Sequence, residues 1–201
     1  MPLDYYGELA AHPDPARAVG WESRAAQLTR FELVRACVRP GERVLDLGAG
    51  LGDLGRHLLT HGCTDYLGLE RDQRLFDRGL GMTPTVALRH GDFYDAVAQG
   101  ERAEVVAAVG VLVDGSSLRS DAVRFGRLRR LFETVTRATT RVGVVIVLDQ
   151  DRLEAHPILC EEPALGGMRR SELAWLVPHA DVRALGELEL AIFIHAGAVG
   201  V

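Results

Sequence analysis

Strand-like and helix-like segments alternate along this chain from Gly41 onward. Short apolar runs that fit strands are followed by stretches with the 3.6-residue periodicity of helices. The predicted strands cover residues 43–47, 65–69, 85–89, 104–112, 141–148, 181–185 and 188–195, and the predicted helices cover 22–38, 53–61, 71–80, 121–138 and 171–176. This alternation is typical of an α/β protein with a parallel sheet and helices on both faces.

The order of these elements predicts a doubly wound, mostly parallel seven-stranded sheet that ends in an antiparallel C-terminal hairpin. We expect a single domain over 1–201, with an N-terminal arm and lid helix over 1–40 and the core over 41–201. The first 20 residues are rich in Pro, Gly and Asp and are predicted to be flexible. Residues 149–167 are predicted to be irregular. The apolar strand at 188–194 fits an interior edge of the sheet or a homodimer contact.

The charge of the chain argues against nucleic-acid binding. Its formal net charge is −5 and its pI is about 5.8, whereas proteins that bind nucleic acids carry basic surfaces. The visible cluster of basic residues comprises Arg124, Arg127, Arg129 and Arg130. Because it lies in a segment of helical periodicity, we expect a solvated helix face.

The chain shows no pattern of a membrane or secreted protein. Its first residues lack a basic start and an apolar core, and no run approaches the ~20 apolar residues of a membrane span. A cytoplasmic protein is therefore expected. The three cysteines are widely spaced, at Cys37, Cys63 and Cys160, and no pair has metal-ligand spacing.

The segment VLDLGAGLGDLG, residues 44–55, joins an apolar strand to a helix through a glycine turn. Gly48 and Gly50 lack a Cβ, so a ligand can approach the backbone beside the free N–H groups of the helix start. A dinucleotide site needs G-x-G-x-x-G, but here the third glycine comes one residue early, at Gly52, and Asp53 would repel a pyrophosphate. Asp46 suits an ammonium group. A cationic, phosphate-free nucleoside such as S-adenosylmethionine (SAM) fits better.

Two more acids stand at predicted strand ends. Glu70 lies 22 residues after Gly48 and ends the second strand, where a carboxylate can accept hydrogen bonds from ribose hydroxyls. Asp92 ends the third strand and can accept from an adenine amine, while Phe93 offers a stacking face. The alternative is that Asp46 and Asp92 only cap helices.

At these residues the chain resembles the class I SAM-dependent methyltransferases, which have a Rossmann-like core. VLDLGAGLGD is similar to their glycine motif, YLGLE (66–70) to the ribose-binding strand, HGDFYD (90–95) to the adenine-binding loop, and VVAAVGVL (105–112) to the fourth strand. The resemblance covers roughly 20–195. The cofactor-binding residues that it implies are Asp46, Gly48, Ala49, Gly50, Glu70, Arg71, Asp92, Phe93, Gly110 and Val111.

Residues 20–34 resemble a helix that precedes the first strand in a subgroup of small, uncharacterised methyltransferases. The resemblance implies that Trp21 and Arg24 close over the cofactor, with Arg24 on its carboxylate. The alternative is a buried Trp and a surface Arg. The fourth strand ends in VGVLVDG and departs from the Asn/Asp-Pro-Pro-Tyr motif, which counts against amino groups of nucleic-acid bases or of glutamine as acceptors.

Four residues are candidates to act on an acceptor. Candidates near the carboxyl ends of the strands, where ligands of open α/β sheets bind, are Asp114, Asp149, Asp151 and His156. Asp114, Asp149 and Asp151 also fall where some methyltransferases hold a metal. Since solvated loop acids are the simpler interpretation, no metal is predicted.

The leading hypothesis is methyl transfer from SAM to an O or N nucleophile of a small molecule. A protein or RNA methyltransferase is the alternative within the class. A nicotinamide-dependent oxidoreductase and a non-catalytic SAM-binding module are the alternatives outside it.

Overall fold

The computed structural model describes residues 9–82, 85–111, 121–157 and 167–197. Its strands are β1 Arg43–Leu47, β2 Asp65–Glu70, β3 Leu88–His90, β4 Ala103–Val109, β5 Thr139–Leu148, β6 Asp181–Leu185 and β7 Glu189–His195. They form one seven-stranded sheet in the order β3-β2-β1-β4-β5-β7-β6. β1 to β5 pair in parallel, whereas β7 is antiparallel to β5 and β6. The predicted fold class is confirmed.

Helices cover both faces of the sheet. They are α1 Pro15–Ala18, α2 Arg24–Arg35, α3 Asp53–Thr60, α4 Gln73–Met82, α5 Phe93–Ala98, α6 Asp121–Ala138, α7 Gln150–Ala155 and α8 Arg170–Leu176. On one face, Phe132 of α6 packs in the same buried cluster as Leu45 of β1. On the other, Phe31 of α2 and Leu54 of α3 share a cluster with Val44. The alternation of Val44 and Leu45 places apolar side chains on both faces of a central strand.

Several element bounds differ from prediction, among them those of β3, which spans Leu88–His90 and not 85–89. α5 was not predicted; Asp92 caps its first turn by accepting a hydrogen bond from the N–H of Tyr94 at 2.7 Å. α7 lies within the stretch predicted to be irregular. β4 ends at Val109, three residues earlier than predicted, because Gly110 adopts a φ of +76° that leaves the extended conformation.

The N-terminal arm, predicted to be flexible, is packed from residue 9 onward. Ala16 and Ala18 of α1 are buried, at 1% and 0% exposure. The guanidinium of Arg78 on α4 donates to the carbonyl oxygens of Ala10 and His12, at 2.7 Å each. These contacts tie the arm to the body of the protein. Tyr5 and Tyr6 lie outside the described residues.

The expectation of a solvated arginine face on α6 was wrong for Arg124. Its side chain is 5% exposed and forms a two-pronged ion pair with the carboxylate of Glu172 on α8, with N–O distances of 2.7 Å. The sequence pattern of α6 does not reveal this partner, which lies 48 residues away.

The apolar hairpin strand is interior to the sheet. β7 lies between β5 and β6, so Leu190 and Ile192 are buried within this chain. Among the described residues, no helix is both long enough and apolar enough to cross a membrane.

Candidate functional site

The turn between β1 and α3 can be built only with glycines. Gly48, Gly50 and Gly52 have φ values of +79°, +56° and +79°, in the region that side chains rarely adopt. A Cβ on Gly48 would lie 2.5 Å from Cγ1 of Val111, and one on Gly50 would lie 2.9 Å from Cγ1 of Val19. The turn therefore packs tightly against Val111 and Val19 at the carboxyl end of β1.

Glu70 joins the end of β2 to this turn. Its Oε2 accepts a hydrogen bond from the N–H of Gly50 at 2.8 Å, and its Oε1 accepts one from the N–H of Asp72 at 2.7 Å. The side chain sits among buried groups, with the residue 7% exposed, and this burial raises the pKa of its carboxyl group. The N–H groups of Gly48 and Ala49 both donate to the carbonyl oxygen of Leu69, at 2.9 Å. Hydrogen bonds thus join the turn directly to the second strand.

Asp46 lies in the sheet beneath the turn. It is 3% exposed, and its Oδ2 accepts a hydrogen bond from the hydroxyl of Tyr66 at 2.7 Å. Burial raises the pKa of its carboxyl group to about 7, with the nearby charge of Glu70 adding to the effect. The alternative that Asp46 caps a helix does not hold, whereas its contact with a ligand's ammonium group stays a prediction.

Asp92 and Phe93 lie where β3 passes into α5. Asp92 caps α5, because its Oδ1 accepts the bond from the N–H of Tyr94. Phe93 is half-buried, with its ring centroid 4.3 Å from that of Tyr94. Arg71 is exposed just after β2, and a ring nitrogen of His90 lies 2.9 Å from its carbonyl oxygen. That Asp92, Phe93 and Arg71 contact an adenine or a ribose stays a prediction.

The N-terminal segment covers the carboxyl end of β4. A Cβ on Gly110 would lie 3.2 Å from Cζ2 of Trp21, so the indole of Trp21 rests directly on the backbone there. The side chain of Arg24 is 46% exposed and pairs with Asp53 at 3.1 Å. Trp21 is thus half-buried over the site. The guanidinium of Arg24 is held at Asp53, the first residue of α3.

Asp53 is neutralised by its surroundings. Besides Arg24, the guanidinium of Arg56 lies 2.6 Å from its Oδ1. The repulsion of a pyrophosphate expected from Asp53 is therefore weakened. The buried charges left near the turn are those of Asp46 and Glu70, which form no ion pair within the described part of the chain. Glu70 and, above about pH 7, the ionised Asp46 give the site its negative character.

The candidates for acting on an acceptor have different surroundings. Asp114 lies outside the described residues. Asp151 is exposed on α7, where its Oδ1 lies 3.3 Å from Arg169 and its Oδ2 accepts the N–H of Arg170. His156 is half-buried and ends the same helix. α7 follows β5, so both residues lie beyond the carboxyl end of the sheet.

Asp149 was expected to be a solvated loop acid, and this was wrong. It is fully buried, caps α7 and pairs with Arg170 at 3.0 Å. The reason is the chain around it, since Asp149 and Met168 form a bridge that covers the end of β5. Asp149 therefore anchors α7 to α8.

Sequence reasoning missed two contributors to the site. Val19 covers Gly50, and Tyr66 bonds to Asp46 beneath the turn. The role of Tyr66 could be predicted in part from strand alternation. In the sheet, Tyr66 of β2 lies beside Val44 of β1. Because side chains two residues apart point to the same face, Asp46 and Tyr66 share a face. No local signal identifies Val19.

Solved structures share this fold over almost the whole chain. Magnesium protoporphyrin IX methyltransferase from Synechocystis PCC 6803, with bound S-adenosylhomocysteine (SAH), has a TM-score of 0.67 at 12% identity, covering 96% of this chain and 94% of its own. The N-methyltransferase NodS from Bradyrhizobium japonicum WM9, in complex with SAH, has a TM-score of 0.68 at 11% identity, covering 96% and 97%.

A TehB-like SAM-dependent methyltransferase from Corynebacterium glutamicum has a TM-score of 0.57 at 16% identity, covering 90% of this chain and 92% of its own. No protein-family model matches the sequence, and no match to a curated protein was found. The chain therefore has the fold of the class I SAM-dependent methyltransferases, as the resemblance in its sequence implied.

Proposed function

We propose that this protein binds SAM at the glycine turn and transfers its methyl group to an oxygen or nitrogen of a small molecule. The observation that carries the proposal is the bond between Glu70 and Gly50. It places a buried carboxylate beside the turn, at the carboxyl edge of the sheet where ligands of this fold class bind.

The residues present fit this cofactor. Gly48, Gly50 and Gly110 keep the backbone of the site compact, because a Cβ on any of them would press on Val111, Val19 or Trp21. The buried carboxylates of Asp46 and Glu70 favour a ligand with positive charge and hydroxyl groups over one with phosphates, because each phosphate would add negative charge beside them. When bound, SAM supplies a methyl group on a positively charged sulfur.

The chain has three tasks in such a reaction. The glycine turn and Glu70 would bind and orient the cofactor, and Trp21 would exclude water from above Gly110, which keeps the reacting groups aligned. Where the nucleophile carries a proton, Asp151 or His156 on α7 would accept it. The net charge of −5 supports a small acceptor over a polyanionic one.

Calorimetric titration tests cofactor binding. We expect SAM to bind with micromolar affinity and NAD not to bind. Glu70→Ala should weaken SAM binding at least tenfold, while Glu133→Ala, which removes an exposed acid on α6 whose side chain is 68% exposed, should leave it unchanged. SAM binding that is indifferent to Glu70, or preferred binding of NAD, would contradict the proposal.

Transfer of a labelled methyl group tests the acceptor. Purified protein and labelled SAM are incubated with the low-molecular-weight fraction of a cell extract and, separately, with its protein and RNA fractions. We expect label only with the small molecules. Label on protein or RNA would replace the proposed acceptor class, and binding of SAM without transfer to any fraction would identify a non-catalytic module.

A further inference from the structure

Two histidines and a glutamate converge between α2 and α3, away from the glycine turn. His57 lies in α3 and His61 follows one helical turn later, so their rings share one face, with centroids 4.4 Å apart. Glu32 of α2 reaches across, with its Oε1 2.8 Å from Nε2 of His57. One ligand atom of each residue lies within 4.8 Å of the others. We call these three residues the Glu32 cluster.

His57 points a buried nitrogen into this cluster. Its side chain is 8% exposed, and among the described residues Nε2 has no hydrogen bond of acceptable geometry, despite its closeness to Glu32. An unsatisfied buried ring nitrogen is costly.

One ring nitrogen of His61 is hydrogen-bonded, which leaves the other, Nε2, for a ligand. Its Nδ1 lies 2.8 Å from the carbonyl oxygen of His57. A carbonyl oxygen can only accept, so Nδ1 carries a proton and Nε2 is the ring nitrogen that could bind an ion. A backbone carbonyl that orients a histidine in this way is a common second partner of metal-binding imidazoles. His61 is exposed and the side chain of Glu32 is 45% exposed, so an ion can reach the cluster.

We propose that the Glu32 cluster binds a divalent transition-metal ion of the zinc type. Two imidazole nitrogens and one carboxylate oxygen suit Zn²⁺, whereas Mg²⁺ and Ca²⁺ prefer sets of oxygen ligands. Histidines four residues apart on one helix are a known zinc-binding spacing. A tetrahedral ion needs ligand atoms roughly 3.3 Å apart, so the half-exposed Glu32 would withdraw slightly from His57. Water would complete the set.

The location indicates what the ion would do. α2 begins at Arg24, three residues after Trp21, and α3 begins at the glycine turn. An ion shared by Glu32 and His57 would therefore clamp the segment that covers the site to the helix that starts at it. The ion would act as a structural support, since the cluster lies within these two helices and not at the turn. This site does not depend on the proposed methyl transfer.

The test is a zinc titration of the full chain without a histidine tag, followed by Co²⁺ substitution to record the absorption of a tetrahedral site. We expect one equivalent of Zn²⁺ to bind with micromolar or tighter affinity. His57→Gln, His61→Ala and Glu32→Gln should each weaken it at least tenfold. His61→Ala and Glu32→Gln remove exposed or half-exposed groups, so they test the site even if His57→Gln does not fold.

Matched controls separate this site from other zinc-binding groups. His195→Ala removes a histidine whose side chain is 52% exposed, outside the cluster, and Cys63→Ser removes a nearby half-buried thiol. Both should leave zinc affinity unchanged. Absence of binding at hundred-micromolar zinc would overturn the proposal. So would binding that is lost in Cys63→Ser or His195→Ala but kept in His61→Ala and Glu32→Gln.

Discussion

The hydroxyl of Tyr66 donates a 2.7 Å hydrogen bond to Oδ2 of Asp46, and both residues are buried beneath the glycine turn. This bond favours the charged carboxylate, but burial outweighs it, and the pKa of Asp46 rises to about 7. The folded protein therefore binds this proton more tightly than the unfolded chain, in which the pKa of Asp46 is near 3.8.

The first prediction concerns the pH dependence of stability. Because the folded pKa of Asp46 is raised, its contribution to stability is fully present below about pH 4 and is lost as the pH rises towards 7. The Asp46→Asn variant should not lose stability in this way, because asparagine does not titrate. Measured by urea unfolding, the wild type should lose about 2 to 3 kcal/mol relative to Asp46→Asn between about pH 5 and about pH 8. Parallel pH profiles for the two proteins would refute the raised pKa.

The second prediction concerns the glycine turn. Gly48→Ala introduces a Cβ at a φ of +79° and only 2.5 Å from Val111, so it should destabilise the fold by about 1 to 3 kcal/mol and weaken SAM binding. Gly126→Ala is the control, because its helical position has no atom within 4 Å of the added Cβ. It should be neutral or stabilising by up to about 1 kcal/mol. Denaturant unfolding measures both, and equal effects would show that the turn is not strained.

The third prediction uses the two tryptophans of the chain. Trp21 rests on Gly110 at the site, whereas Trp175 on α8 is 83% exposed. In Trp175→Phe, addition of SAM should produce a saturable change in tryptophan fluorescence, since the surroundings of Trp21 change. In Trp21→Phe that change should be absent. A response that persists without Trp21 would place the ligand elsewhere.

The fourth prediction concerns the ion pair between Arg124 and Glu172. Arg124→Met leaves the carboxylate of Glu172, whose side chain is only 13% exposed, without this cation, so we expect a loss of about 3 kcal/mol of unfolding free energy. Arg129→Met on the same helix removes an exposed pair with Glu133, at 3.6 Å, and should cost less than about 0.5 kcal/mol. Thermal and urea unfolding check both. A similar cost for the two would mean that Arg124 adds little beyond a surface charge.

The fifth prediction concerns the proton acceptor. With a protonated acceptor identified, His156→Ala or Asp151→Asn should lower kcat by a factor of about 100 or more for the residue that acts as the base, while SAM affinity stays unchanged. The other substitution should have a much smaller effect. Unchanged kcat in both variants would assign the proton to water or to a residue outside α7.

Local patterns predicted the central part of this protein well. β1 and α6 have the predicted bounds. The turn that joins β1 to α3 was recognised because closely spaced glycines allow backbone conformations that only neighbouring residues determine. Glu70 was placed at the end of β2 for the same reason, since a strand end is a local feature. The short helix α5 escaped prediction because a six-residue helix has too few turns to show a period.

Contacts between distant segments could not be predicted in this way. The sequence shows the four-residue spacing of His57 and His61, but nothing in it identifies Glu32 as their neighbour. In the same way, the burial of Asp149 depends on Arg170, which lies 21 residues further along the chain. Each of these pairings results from how segments far apart in the chain meet in the fold, and not from the pattern of either segment.

The sequence by itself determined the α/β class, the glycine turn and the acid that follows the second strand, because these depend on backbone geometry and on side-chain alternation over a few residues. Only the tertiary structure decided which charges are buried, which cation neutralises each of them, and that the N-terminal arm lies over the turn. Those outcomes depend on the loss of solvent around a group, and solvent is excluded only when segments far apart in the chain come together.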